Sequence, residues 1–198
     1  MRNQTALAVA AMAFVGSIAS AGGLVIWDDA VNGDLSDDRF NPNVFALDNG
    51  VSSIISETVL SNFPSSEGGD RDYFTVTIGA GQSITSIVMS ESSNPAGGFD
   101  AVGFIALQFG PIVTVDPAVP NPAPLAGFVI GTSDLIGTDI LGLLSGGLSE
   151  LGAGEYAFWV QQTGEDLTRI RMDFNVVPAP GALALLGLGG LVAGRRRR

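Results

Sequence analysis

The sequence predicts an all-β protein, a jelly-roll-like β-sandwich flanked by an N-terminal signal helix and a C-terminal hydrophobic helix. Three observations lead there. Apolar residues recur with period two through most of the middle of the chain, the repeat of a strand with one face in the core. Clusters of Gly, Pro, Asn and Ser at residues 65–70, 92–98 and 116–124 break these runs into short pieces, as sandwiches and barrels require. No long amphipathic helix appears between the two ends.

Taken in order, the first clear strand is residues 72–78, where Phe74, Val76 and Ile78 alternate with Thr75 and Thr77. Gly79-Ala80-Gly81 turns the chain, and residues 82–90 are expected to return as the second strand of a hairpin. Residues 102–109 and 156–162 are strand-like and aromatic-rich. Phe158 and Trp159 are adjacent in the latter, so a regular strand exposes one of them unless it is bulged or covered on both faces. Residues 136–144 suit a short helical turn, weakened by Gly137 and Gly142. The last strand is the cleanest: Thr168, Ile170, Met172, Phe174 and Val176 point one way, with Arg169, Arg171, Asp173 and Asn175 on the other.

The ends are of a different kind. Arg2 and the apolar stretch 6–18 precede Ala19-Ser20-Ala21, the small-x-small pattern of a signal peptide cut after Ala21. This predicts export through the Sec machinery and signal peptidase, with residues 1–21 as the signal. At the other end, Val177-Pro178-Ala179-Pro180-Gly181 leads into an apolar run ending at Gly194, then Arg195, Arg196, Arg197 and Arg198. As a helix the run reaches about 21 Å, against a hydrocarbon layer of about 30 Å. The four arginines would hold its far end on the cytoplasmic side. A transient inner-membrane anchor at residues 177–198 is expected, with the domain of residues 22–176 outside. Its size suits one domain that buries roughly 70% of its unfolded surface.

Composition narrows the chemistry. There is no Cys and no His, and all nine basic residues are Arg. This excludes Ser-His-Asp triads, thiol nucleophiles, thiolate or imidazole metal sites, disulfides and Schiff-base lysines. Residues 22–176 hold four arginines against all twenty acids, a net charge of −16. Such a surface repels phosphate, so nucleic acid is excluded as a partner. Carboxylate-only glycoside hydrolysis passes the composition filter, but no short stretch singles out an acid pair. The domain is expected to be non-enzymatic.

The order of Pro-x-Pro motif, Gly/Ala/Leu-rich helix and Arg cluster over the last 22 residues resembles the PEP-CTERM sorting tail of Gram-negative bacteria. Ala179 stands where the usual motif has Glu, the Val-Pro-Ala-Pro variant. The resemblance implies processing near the Pro motif by an exosortase-like transpeptidase and delivery to the cell envelope or extracellular matrix. A plain C-terminal membrane anchor is the alternative. In the middle, Gly69-Asp70-Arg71-Asp72-Tyr73-Phe74-Thr75-Val76 running on to Gly81-Gln82, with Gly154-Glu155-Tyr156 later, is similar to the bacterial pre-peptidase C-terminal (PPC-like) domain. That resemblance implies a jelly-roll sandwich with binding or stabilising roles. Residues 111–144 fit it less well and are expected to be a local elaboration.

Two acidic segments could hold a cation. Asp28, Asp29, Asp34, Asp37 and Asp38 crowd one loop, and Asp70 and Asp72 are sent to one face by strand alternation. Calcium takes six to eight oxygens from flexible segments, which makes Ca2+ the cofactor to test. The alternative is a solvated acidic loop with ordinary capping. Tyr73, Phe104, Phe109, Phe128, Phe158 and Trp159 could form a carbohydrate platform if exposed, or fill the core if buried. The function expected is therefore binding or adhesion in the envelope or matrix, with exopolysaccharide as partner. A purely structural, cation-stabilised surface component is the alternative.

Overall fold

The computed structural model describes residues 23–59, 70–94, 103–118, 121–163 and 167–179. The expected signal segment with Ala19 and Ala21, and Pro180, Gly181 and Arg195 to Arg198 of the expected sorting tail, lie outside them. Nine strands make two sheets. One contains β1 (Leu24–Asp28), β3 (Gly50–Val59), β9 (Leu167–Pro178) and β5 (Gln82–Ser93), in the order β1-β3-β9-β5. The other contains β2 (Asn43–Leu47), β4 (Arg71–Ile78), β8 (Gly154–Gln162), β6 (Gly103–Phe109) and β7 (Gly127–Ile130), in the order β2-β4-β8-β6-β7. Helix is confined, among the described residues, to α1 (Asp29–Asn32), α2 (Leu141–Leu144) and a 3-10 turn at Thr132–Leu135. The protein is thus an all-β sandwich. Among the described residues no helix is long and apolar enough to cross a membrane.

The inner faces of the two sheets form the main core. Phe158 stacks on Phe74 at 4.9 Å and meets Phe174 of the opposite sheet edge-on at 5.5 Å. In β9, Thr168, Ile170, Met172, Phe174 and Val176 are buried and the residues between them are not, the alternation the sequence predicts. Replacing the fully buried Phe158 by Ala should cost about 3–5 kcal/mol, measured by chemical denaturation against the wild type.

Trp159 is buried as well, and the reason is a third layer. Val113, Val115 and Leu125 of the segment after β6 pack over Tyr73, Trp159, Ala106 and Ala157 on the outer face of the second sheet. Polar ties hold the cover in place: Thr75 Oγ1 donates to Pro111 O at 2.7 Å, and the Gln108 amide pairs with Thr114. The adjacent rings Phe158 and Trp159 therefore face two different cores.

One expectation is corrected. Residues 72–78 and 82–90 are strands, but they do not form a hairpin. β4 pairs with β2 and β8, whereas β5 pairs with β9, so the turn at residues 79–81 carries the chain from one sheet to the other. Both strands have an apolar face (Phe74, Val76, Ile78 and Ile84, Ile87, Met89), and all six side chains are buried. The two strands join opposite sheets and both turn their apolar faces into the shared core, so alternation alone is equally compatible with a hairpin and with a crossing between sheets. Gly81, at φ 78°, supplies the left-handed turn. β9 also runs through Val177 and Pro178, which pair with Ser83 and Gln82, and Ala179 N donates to Gly81 O. The first two residues of the Val177-Pro178-Ala179-Pro180 segment thus belong to the sheet, two positions past the expected boundary.

β1 and β2 are parallel additions on the same side of the sandwich, β1 beside β3 and β2 beside β4. The chain between them crosses from one sheet to the other over one open end of the core. That crossing positions the site.

Candidate functional site: a carboxylate cluster at one end of the sandwich

Asp72 sits on the inward face of β4, one step beyond Phe74, where the apolar core gives out. Its side chain is fully buried. Ser56 of β3, in the opposite sheet, donates its hydroxyl to Asp72 Oδ2, and Asp72 Oδ1 has no partner. Asp70, just before β4, receives Val59 N on Oδ2 at 3.0 Å, and its Oδ1 is also buried and unpartnered.

The crossing segment brings the other acids. Asp29 begins α1 and is half-buried; its Oδ1 accepts from Trp27 Nε1 and its Oδ2 from Glu57 N, both at 2.7 Å. Asp34 and Asp37 flank Leu35, which is buried in the main core and pins the loop. Ser36 reinforces it, accepting from Tyr73 N at 2.9 Å and donating its own N–H to Asn43 Oδ1 at 2.8 Å. Asp37 Oδ1 accepts from Arg71 N at 3.1 Å. One oxygen each of Asp29, Asp34 and Asp72 lie within 4.8 Å of one another, as do oxygens of Asp34, Asp37 and Asp70.

Five of the seven acids singled out in the sequence therefore meet, and two do not. Asp28 turns to the outer face of the first sheet, where Arg169 Nη2 meets its Oδ2 at 2.8 Å and Ala30 N is capped by its Oδ1. Asp38 is exposed and accepts from Phe40 N in a local turn. Each has found an ordinary structural partner, which removes it from the cluster. Ser56, Glu57 N and Val59 N orient the acids and carry no signature in the sequence, because β3 (GVSSIISETV) interleaves Ser and Thr with its apolar residues.

No arginine neutralises the five: every ion pair among the described residues lies elsewhere. Arg169 is held by Asp28, Glu57 and Glu91, and Arg71 Nε goes to Gln161. The cost shows in the acidities. Burial pushes Asp72 up to about 9, against the Ser56 hydrogen bond and helped by repulsion from Asp29, Asp70 and Asp34. Burial likewise lifts Asp29 and Asp70 to about 6. Asp34 rises through burial and the nearby Asp37. Such a cluster can shed its charge in two ways, by holding protons or by holding a cation.

The donor set fits a hard cation. All ligand atoms are oxygens, and two oxygens on one Ca2+ lie no further apart than about 5 Å, twice the usual bond length. Acids drawn from a loop, a helix start and a strand suit the irregular shell of calcium better than the strict octahedron of magnesium. Asp70 and Asp72 each have one oxygen held by a hydrogen bond and the other without a partner, as metal-binding carboxylates commonly do, whereas both oxygens of Asp29 already accept one bond and offer an ion their remaining lone pairs.

The aromatic platform is mostly absent as a surface. Tyr73, Phe158 and Trp159 are buried, and Phe104 packs against Trp159 at 4.9 Å. Phe109 and Phe128 remain about half exposed. Phe109 stands edge-on to Tyr156 in a groove of about 370 Å³ that Glu150 and Glu155 also line. This groove lies at the other end of the sandwich from the five acids.

Fold and site together define an all-β sandwich with a multi-carboxylate, oxygen-only cluster where its two sheets open. No family model matches the chain, and no curated protein or solved structure is significantly similar to it.

Proposed function

We propose that this chain is an exported, non-enzymatic structural component of the cell envelope or extracellular matrix, whose sandwich is closed by calcium. The observation that carries the reading is the pair of buried, unpartnered oxygens on Asp70 and Asp72 within a cluster of five acids. A protein that builds such a cluster without an arginine in it is built to hold something positive. Burial of Tyr73, Phe158 and Trp159 favours a structural role over a sugar platform. The jelly-roll-like description has support in the strand order: without β1 and β2, the orders β3-β9-β5 and β4-β8-β6-β7 follow jelly-roll nesting. One strand of that nesting is replaced by the segment that touches β5 through Asp139 and Leu151.

Export follows from the signal segment, and surface delivery from the PEP-CTERM-like tail and its exosortase-like partner. β9 separates the two ends of the domain by twelve residues, about 40 Å of strand. A tail held in the inner membrane would therefore keep the carboxylate cluster well away from the bilayer. Intact-mass spectrometry of the mature chain from its native cell tests the sorting part. A C-terminus at residues 177–180 is expected, and retention of Arg195 to Arg198 would leave a simple anchor.

Binding to exopolysaccharide is the second reading, and the Phe109 groove favours it. Affinity electrophoresis through the native polysaccharide should retard the chain, with the retardation lost in Phe109→Ala. Equal mobility with and without polysaccharide would dismiss this reading.

A further inference from the structure

We infer that the cluster is two cation sites sharing one ligand: an inner site of Asp29, Asp34 and Asp72 and an outer site of Asp34, Asp37 and Asp70, bridged by the Asp34 carboxylate. The inference rests on the calcium reading above and extends it. The acids fall into two groups, each with oxygens mutually within 4.8 Å, and Asp34 is common to both. Each group also holds its own buried oxygen without a partner, Asp72 Oδ1 in the inner one and Asp70 Oδ1 in the outer. A single ion at either centre would leave the other orphan where it is, still costing what an unsatisfied buried acceptor costs.

Charge points the same way. One divalent ion against five carboxylates leaves a surplus of three negative charges in a partly buried place, and two ions leave one. A carboxylate has two oxygens and about four lone-pair positions, so Asp34 can serve both ions. Asp37 keeps one oxygen for the outer ion, because Arg71 N takes only Oδ1.

The two sites differ in surroundings. The inner one is roofed by the fully buried Asp72, itself held by Ser56, and by Asp29, which two donors fix. The outer one is formed by the exposed Asp34 and Asp37 with Asp70. Fixed, desolvated ligands lose less on binding than mobile hydrated ones, so the inner site fills first and more tightly. The outer ion then closes the loop that carries Asp34 and Asp37 onto the start of β4.

The test is calorimetric titration of the full chain, stripped with EDTA and held in detergent, with calcium chloride. Circular dichroism checks the fold of each variant. The wild type is expected to take up two ions in two resolved steps. Asp37→Asn, a change on an exposed loop, should abolish the weaker step and keep the tighter one. Asp72→Asn should weaken the tighter step by about 100-fold or more, beyond what is usual for outlying partners of a metal. One ion in the wild type, unaffected by Asp37→Asn, overturns the second site and leaves the calcium reading standing. Two ions in both wild type and Asp37→Asn place the second ion elsewhere and overturn the proposal. No binding heat and no thermal shift in the wild type overturn the calcium reading itself.

Discussion

Calcium added to the EDTA-stripped chain at neutral pH should raise its unfolding temperature, and Asp72→Asn should remove most of that rise. Binding to the folded state alone stabilises it by about 2.7 kcal/mol when free ion stands at about 100 times Kd. For a domain of this size that corresponds to roughly 5–10 °C. The unfolded chain cannot compete, because the cluster joins Asp29, Asp34 and Asp37 to Asp70 and Asp72, and only the folded crossing brings these segments together. The variant has a second expected effect, opposite in sign. Without calcium, Asp72→Asn unfolds at a higher temperature than wild type, since it removes a buried carboxylate whose Oδ1 has no partner. Differential scanning calorimetry with and without calcium reads both effects. Equal calcium shifts in wild type and variant would place the ion elsewhere.

Stability of the calcium-free chain should fall as pH rises, the reverse of ordinary acid denaturation. Asp29 and Asp70 lie at about 6 and Asp72 at about 9 in the fold, against 3.8 for an unperturbed aspartate. Below about pH 4 these acids are protonated in both the folded and unfolded chains and contribute nothing. Between there and their folded values, the native state holds protons that the unfolded state has released, so unfolding becomes easier with each step up in pH. Asp29 and Asp70 give their full penalty by about pH 6, and Asp72 continues to about pH 9. Asp28, held low by Arg169, works the opposite way at the acid end. Saturating calcium displaces the protons and should abolish the decline, and its affinity should strengthen with pH across the same range. Thermal melts from pH 4 to 9, in EDTA and in calcium, give the two curves. Because the domain is strongly acidic overall, the Asp72→Asn melts isolate the contribution of the cluster. A calcium-free curve that rises through this window would contradict the charge state assigned to the site.

Much of the architecture was legible because it rests on local repetition. Leu167–Pro178 has one face apolar at every second residue, and those residues are buried. The strand at residues 72–78 was equally visible, and so was the common face of Asp70 and Asp72. Strands β2, β3 and β7 are not legible in the same way, since short edge strands and a Ser/Thr-interleaved strand blur the period-two signal. The hairpin expected at residues 79–81 fails for a related reason. Alternation shows which side of a strand is apolar and says nothing about which sheet it joins. The burial of both Phe158 and Trp159 needed the cover formed by Val113, Val115 and Leu125, whose packing no pattern in residues 111–125 announces.

The sequence by itself determined the strands with strong alternation, the oxygen-only chemistry left by a chain without His, Cys or Lys, and the acids that could hold a cation. It left open which acids meet. Only the tertiary structure sent Asp28 to Arg169 and Asp38 to a turn, and closed Asp29, Asp34 and Asp37 over Asp70 and Asp72 with Ser56 behind them. The physical reason is that periodicity is a property of neighbours a few residues apart. The cluster arises instead from a chain crossing between two sheets, where Leu35 seeks the core and carries its flanking carboxylates with it.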